Sequence, residues 1–264
     1  MKLDVLLSCM HQTDDALIRR SHITGNAVVI NQGDREGERC VPTARGSVRW
    51  IDSLSRGLTV SRNLAIEGSD ADICMLCDDD EVFADDYEQR ILGAYETYPQ
   101  ADLIMFNIEN WRNPFGNEPR ELKFPTTIRA SSVQISFRRE SLIRTGVRFD
   151  LLLGAGSGNG AEEEMKFLLD CHRAGLRVFY VPVEVARLNE NESTWFSGFD
   201  ETFFYNRGAT TRYILGLPLA VAYGLYYVIR KRDLYADQIS TAKALKAIFR
   251  GIAQNKITKQ AEGK

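Results

Sequence analysis

Five cysteines in 264 residues (Cys9, Cys40, Cys74, Cys77 and Cys171) are an odd number without regular spacing, so no disulfide framework is encoded and a reducing compartment is expected. Cys74 and Cys77 form a lone CxxC with no second pair to complete a zinc site; inside an apolar run they read as small core hydrophobes. No P-loop sequence occurs. The glycine string at 154–160 lacks the G-x-G-x-x-G register, having Asn159 where a glycine would be needed, so neither common nucleotide fingerprint is present. The glycines instead suit close backbone approach and loop movement. Histidine is scarce, with only His11, His22 and His172. His172 follows Met165, Leu168 and Leu169 at helical spacing and reads as a core histidine. No internal repeat is visible, and the amino terminus, with three apolar residues after Asp4, is expected to carry no secretory signal.

Long apolar runs are missing too. The 17 residues 213–229 carry no charge, but a spanning helix needs about 20, and Gly216, Pro218 and Gly224 interrupt them. Buried or interfacial packing is expected there. Residues 242–252 follow as a basic amphipathic segment, which either packs on the body or attaches to an anionic membrane surface. The net charge of -3 conceals an asymmetry: residues 212–264 hold ten Lys or Arg against three Asp or Glu, or +7, and residues 1–211 hold 23 against 33, or -10. The expected division is therefore an acidic body at 1–211 and a helical extension at 212–264. No nucleic-acid partner is expected. The apolar share of 44% and charged share of 26% are those of an ordinary globular protein, which excludes a wholly disordered chain.

Hydrophobic periodicity alternates between strand and helix. Strands are expected at 5–9, 27–30, 73–77, 103–106, 133–137 and 177–181, with helices at 14–20, 61–67, 86–95, 139–145 and 161–173. This order implies an α/β sheet, mostly parallel. A polar insertion at 108–127, punctuated by asparagines, glycine and prolines, is expected as a functional loop overhanging the site.

Two acidic clusters carry candidate chemistry. The strand at 73–77 empties into Asp78, Asp79 and Asp80, hard oxygen ligands at the carboxyl edge of a sheet, where open α/β folds bind ligands. They form either a solvated turn or a divalent-cation site, since a cation relieves the repulsion among three like charges. Arg62 and Asn63, in the Ser61-Arg62-Asn63 helix start, offer a guanidinium fork and an amide to phosphate oxygens, with a salt bridge as the alternative role for Arg62. Glu162, Glu163 and Glu164 follow the glycine loop. They either stabilise a helix dipole or turn one carboxylate into a cleft as a proton acceptor. Trp195 is either a core aromatic or a stacking wall for a ligand.

The string GLTVSRNLAIEGSDADICMLCDDDEVFADDY resembles the family 2 glycosyltransferases, in which an Arg-Asn helix leads through an apolar strand into an Asp-x-Asp motif. GAEEEMKFLLDCHRAGLRVFYVP is similar to that family's acidic pair, helix, glycine and strand ending in proline. With LDVLLSCMHQ and AVVINQGD, the likeness spans roughly residues 1–210, and ENESTWFSGFDETFFYNRGA resembles a subgroup from bacterial surface-polysaccharide clusters.

The resemblance implies a GT-A fold, a nucleotide-diphosphate sugar donor, UDP-sugar foremost, and transfer with inversion. It places Mg²⁺ or Mn²⁺ at Asp78 and Asp80, Asp80 being the more direct ligand. Donor contacts fall to Cys9, Gln32, Asp34, Arg62, Asn63, Asp78 and Asp79, the catalytic base to Glu164 with Glu163 as its pair, and acceptor contact to Trp195. One departure stands out, because Asn31-Gln32-Gly33-Asp34 replaces the usual Asp-Asp-Gly-Ser and loosens the assignment of the base. The implied acceptor is a glycan or lipid-linked saccharide, and the implied location is cytoplasmic, at the inner membrane face. A sugar-nucleotide nucleotidyltransferase and a non-catalytic binding module of the same fold are the alternatives.

Overall fold

A computed structural model of the chain describes residues 1–111, 113–160, 162–189 and 198–257. Two compact units are present. The first comprises Met1–Arg56, Val60–Phe149 and the segment from Phe167 through the last strand; the second comprises Gly57–Thr59, Asp150–Lys166 and the described residues from 198 onward.

The first unit is a sheet with helices on both faces. Along the chain run β1 (Leu3–Met10), α1 (Ala16–Arg20), β2 (Asn26–Gln32), β3 (Gly37–Pro42), β4 (Ser47–Ser53), α2 (Leu58–Gly68), β5 (Ile73–Asp78), β6 (Glu81–Phe83) and α3 (Tyr87–Thr97). They continue with β7 (Leu103–Glu109), β8 (Arg120–Leu122), β9 (Ile135–Arg138), α4 (Arg139–Thr145), α5 (Glu163–Arg173) and β10 (Val178–Leu188). The sheet order is β3-β4-β2-β1-β5-β9-β7-β10-β6, with β8 also paired to β10. Strands β4, β2, β1 and β5 are parallel, while β9 runs antiparallel between β5 and β7.

Side chains alternate across the pleat, so a strand covered on both faces must be apolar at every position. In β1, Val5 and Leu7 join Val29, Met75 and Ile104 under α1 and α3, contributed by Leu17, Ile91 and Tyr95. Leu6 joins Val28, Leu76 and Met105 on the other face, under Ile66 of α2, Leu142 of α4 and Phe167 of α5. Cys74 and Cys77 lie in these cores, and His172 is bonded to Thr127 at 3.0 Å.

Two segments differ from the sequence expectation. Residues 37–53 form an antiparallel hairpin, β3 with β4, whose inward positions Val48 and Trp50 are fully buried while alternate ones are exposed. The 108–127 insertion is not a structureless loop. Phe115 is buried with its ring 5.1 Å from that of Tyr180, and β8 adds to the sheet against β10.

The second unit contains α6 (Glu201–Leu215), α7 (Leu217–Arg230), α8 (Arg232–Tyr235) and α9 (Thr241–Gln254). Gly216, at φ +77°, and Pro218 split the uncharged 213–229 run between α6 and α7, a glycine-proline break that no single helix could span. Among the described residues no helix is long and apolar enough to cross a membrane. Glycines set the packing of α6 on α9: a Cβ at Gly251 would lie 2.0 Å from the Tyr205 carbonyl oxygen, and one at Gly208 would lie 2.1 Å from that of Ile248. Any side chain there would push the helices apart at a cost of about 1–3 kcal/mol. The apolar side of α9 (Ala244, Ala247, Ile248, Ile252) is buried with Phe204, Tyr227, Val228 and Tyr235 in the core of these helices.

Candidate active site

In the first unit the parallel strands finish together, Ser8 of β1 lying opposite both Ile30 and Asp78, so the end of β5 delivers its acids to the carboxyl edge. Arg62, on α2, is 1% exposed, and a buried guanidinium needs a partner. Its partner is Asp78: Nη2 donates to Oδ1 at 3.0 Å and Oδ2 at 3.3 Å, and the guanidinium sits 5.4 Å from the Phe149 ring. Ser132 donates to Oδ2 of the same carboxylate at 3.0 Å. The salt-bridge role therefore describes Arg62 here, and Asp78 is an engaged anion rather than an open ligand.

Asp80 is different. It is half-buried, forms no ion pair among the described residues, and its backbone oxygen accepts from Asn189 N at 2.9 Å. Burial, together with the charges of Asp78 and Asp79, pushes its carboxyl above the usual range. Glu81, one residue on, is 1% exposed, and neither of its carboxyl oxygens has a hydrogen-bond partner among the described residues. Burial, then the charge of Asp78, pushes it well above the carboxylate range. No group of three or more His, Cys, Asp or Glu among the described residues is placed to hold a metal ion. A complete protein cage is not required for Mg²⁺, which is held by one or two carboxylates with substrate phosphates and water supplying the rest; Mn²⁺ favours the same ligands. A crowded carboxylate beside an orphaned buried acid fits such a substrate-completed site.

The other donor-contact residues scatter in role. Both ends of the Asn63 amide close on the Phe149 backbone at 2.9 Å, which ties α2 to the segment that follows α4. Cys9 is buried, its Sγ 3.7 Å from the Ile30 carbonyl oxygen, and burial raises its thiol far above the usual value. Gln32 is buried and donates to Ser55 Oγ at 3.1 Å, whereas exposed Asp34 pairs with Arg56 at 2.8 Å. Trp195 lies outside the described residues.

Sequence reasoning missed Asp52, the acid at the end of β4. It is 8% exposed and accepts from Asn31 Nδ2 at 2.7 Å and Trp50 Nε1 at 3.0 Å, with Arg35 at 3.1 Å and Arg39 at 2.9 Å. Burial alone would raise its carboxyl, but those two hydrogen bonds and two charges carry it below the usual range. A carboxylate therefore stands next to Asn31, where the resembled family has its own acid. The inward alternation of Val48, Trp50 and Asp52 was the signal that could have revealed it. A cavity of about 470 Å³ beside β6 and β10, bordered by His22, Arg90, Glu184 and Arg187, contains none of the expected site residues.

In the second unit the three glutamates separate into different environments. Glu162 precedes α5 in the left-handed region, φ +74°, a strained conformation for a side-chain-bearing residue. It is held by Arg207 of α6, whose Nη2 lies 3.0 Å from Oε1, and by Thr210, which donates to Oε2. Arg207 sits 4.1 Å from the Tyr227 ring centroid and 4.9 Å from that of Phe203, and donates to Tyr223 at 3.2 Å. Burial works against the Arg207 charge, but Glu162, then Tyr223 and Tyr227, outweigh it and raise the guanidinium above its ordinary value. Glu163 is buried at the first position of α5, and Glu164 is half-buried beside it. The glycine loop is folded tightly: a Cβ at Gly156 would meet Gly57 Cα at 3.0 Å, and one at Gly154 would meet Thr59 at 3.0 Å, both with positive φ. Only glycine fits those two positions.

No protein-family model matches the chain, and no curated protein matches it. Solved structures do. TarS 1–349 from S. aureus in complex with UDP-GlcNAc superposes with a TM-score of 0.63 at 12% identity, over 96% of this chain and 82% of that one. The mannosyltransferase PcManGT from Pyrobaculum calidifontis, in complex with GDP-Man and Mn2+, superposes with a TM-score of 0.51 at 14% identity, over 96% of this chain and 74% of that one. At this identity the likeness establishes architecture, and the chain has the GT-A α/β fold.

Proposed function

We propose that the chain is a metal-dependent, inverting glycosyltransferase that moves a sugar from a nucleotide-diphosphate donor, UDP-sugar foremost, to a hydroxyl of a saccharide or lipid-linked saccharide. One observation carries the reading: at the carboxyl edge, Arg62 and Ser132 engage Asp78, while Asp80, under burial and the like charges of Asp78 and Asp79, forms no ion pair among the described residues. The nucleotide sugars in TarS and PcManGT, and the Mn2+ in the latter, support the same class of ligand on this fold. In this reading residues 1–211 make the catalytic body and 212–264 the helical extension.

Bound Mg²⁺ or Mn²⁺ would supply Lewis-acid stabilisation of the charge that grows on the departing diphosphate. Asp80 is the residue that would hold it. Asp78, paired with Arg62, fixes the end of β5 beside that carboxylate. Glu164 takes the proton of the acceptor hydroxyl as it attacks, Glu163 is its buried neighbour, and Trp195 offers a stacking wall for the acceptor. The test is release of UDP from a panel of UDP-sugars offered with saccharide acceptors. Turnover on at least one donor, abolished by EDTA and restored by Mn²⁺, is expected. Metal-independent turnover would remove the role of Asp80, and nucleotide binding without turnover would leave a binding module.

A further inference from the structure

We infer that the outward face of α7 is a docking surface for an anionic lipid bilayer. The sequence left the basic amphipathic segment now seen as α9 either packed on the body or attached to such a surface, and the apolar side of α9 is buried in the core of its own unit. Helix α7 is apolar all round and only half covered. Ala220, Gly224, Tyr227 and Val228 face inward, whereas Leu219, Leu225, Tyr226 and Ile229 are 50%, 41%, 48% and 63% exposed. At 100° per residue these four fall on one side, and Leu234 of α8, 56% exposed, follows them in sequence. A contiguous apolar face of this kind marks an interaction site on a water-soluble unit.

Charge selects the occupant. Arg230, exposed, projects from the edge of the same face, and Lys231 and Arg232 continue it. No Asp or Glu occurs between Glu201, at the start of α6, and Asp233, between Arg232 and Leu234, so anionic headgroups meet no opposing acid along α7. Leucine, isoleucine and tyrosine on one side with arginines at its margin are the composition of a helix lying in the interface plane, the apolar side chains entering the acyl boundary and the guanidinium groups meeting lipid phosphate. The inference concerns lipid binding alone and stands or falls independently of sugar transfer.

Cosedimentation of the full chain with vesicles tests it, comparing phosphatidylcholine with phosphatidylcholine mixed with phosphatidylglycerol, alongside light scattering without lipid. The wild type is expected to be monomeric in solution and to partition at least about tenfold more strongly onto the anionic vesicles. L225E/I229E, whose positions face solvent, should keep the wild-type circular dichroism and melting temperature and lose binding about tenfold or more. R230E/R232E should remove the preference for anionic lipid. Absence of vesicle binding, or undiminished binding by L225E/I229E, would overturn the inference. So would a wild-type dimer that L225E/I229E dissociates, because the face would then be covered by a second copy.

Discussion

Glu164→Gln is expected to lower sugar transfer by about 10² to 10⁴ while leaving donor affinity within a factor of about two, since loss of a general base removes transition-state proton transfer and little ground-state binding. The substitution is nearly isosteric at a half-buried position. Rates with saturating donor and acceptor, set beside calorimetric donor binding, check it. Normal turnover in purified Glu164→Gln would move the base elsewhere. Glu162→Gln and Glu163→Gln are the comparisons that separate a base from its neighbours: Glu162 is bound to Arg207 and Thr210 and should act on stability more than on proton transfer.

Arg207→Met should be the most destabilising single change in the helical unit. The Arg207 side chain is 16% exposed and that of Glu162 7%, so removing the cation strands a buried carboxylate, at a cost of about 3–5 kcal/mol. In a chain of this size that lowers the melting temperature by roughly 6 °C or more. The double variant Arg207→Met with Glu162→Gln removes both charges and should recover much of the loss. Additive losses in the two single variants would show that no coupling exists. Glu162 adjoins Glu163 and Glu164 on α5, so Arg207→Met should also depress turnover, whereas the double variant should keep that deficit in part because the left-handed backbone at 162 loses its anchor.

The sheet was legible wherever strands are buried on both faces. Runs such as Val5 to Leu7 and Cys74 to Leu76 are apolar at successive positions because α1 and α3 cover one side and α2, α4 and α5 the other. The β3–β4 hairpin escaped notice because only one of its faces is buried, and its polar alternate residues read as loop. The 108–127 insertion was misjudged for a related reason: asparagines and prolines dominate its text, while one aromatic, Phe115, decides where it goes. At the site, Asp78, Asp80 and Arg62 were visible as residue types, and a salt bridge from Arg62 to a neighbouring carboxylate was open as an alternative. What could not be read was partner choice across the chain. Asp52 with Asn31 and Glu162 with Arg207 bring together residues 21 and 45 positions apart, pairings that depend on strand register and helix packing rather than on local pattern.

Calorimetric titration of UDP into the wild type and into Asp80→Asn, each with Mn²⁺ and with EDTA, bears most directly on a cation bridging Asp80 and the donor diphosphate. The wild type should bind at least about fivefold more tightly with Mn²⁺, within the usual range of coupling between two ligands, and Asp80→Asn should bind equally under both conditions. Equal wild-type affinity with and without the metal, or a metal effect of the same size in Asp80→Asn, would contradict it.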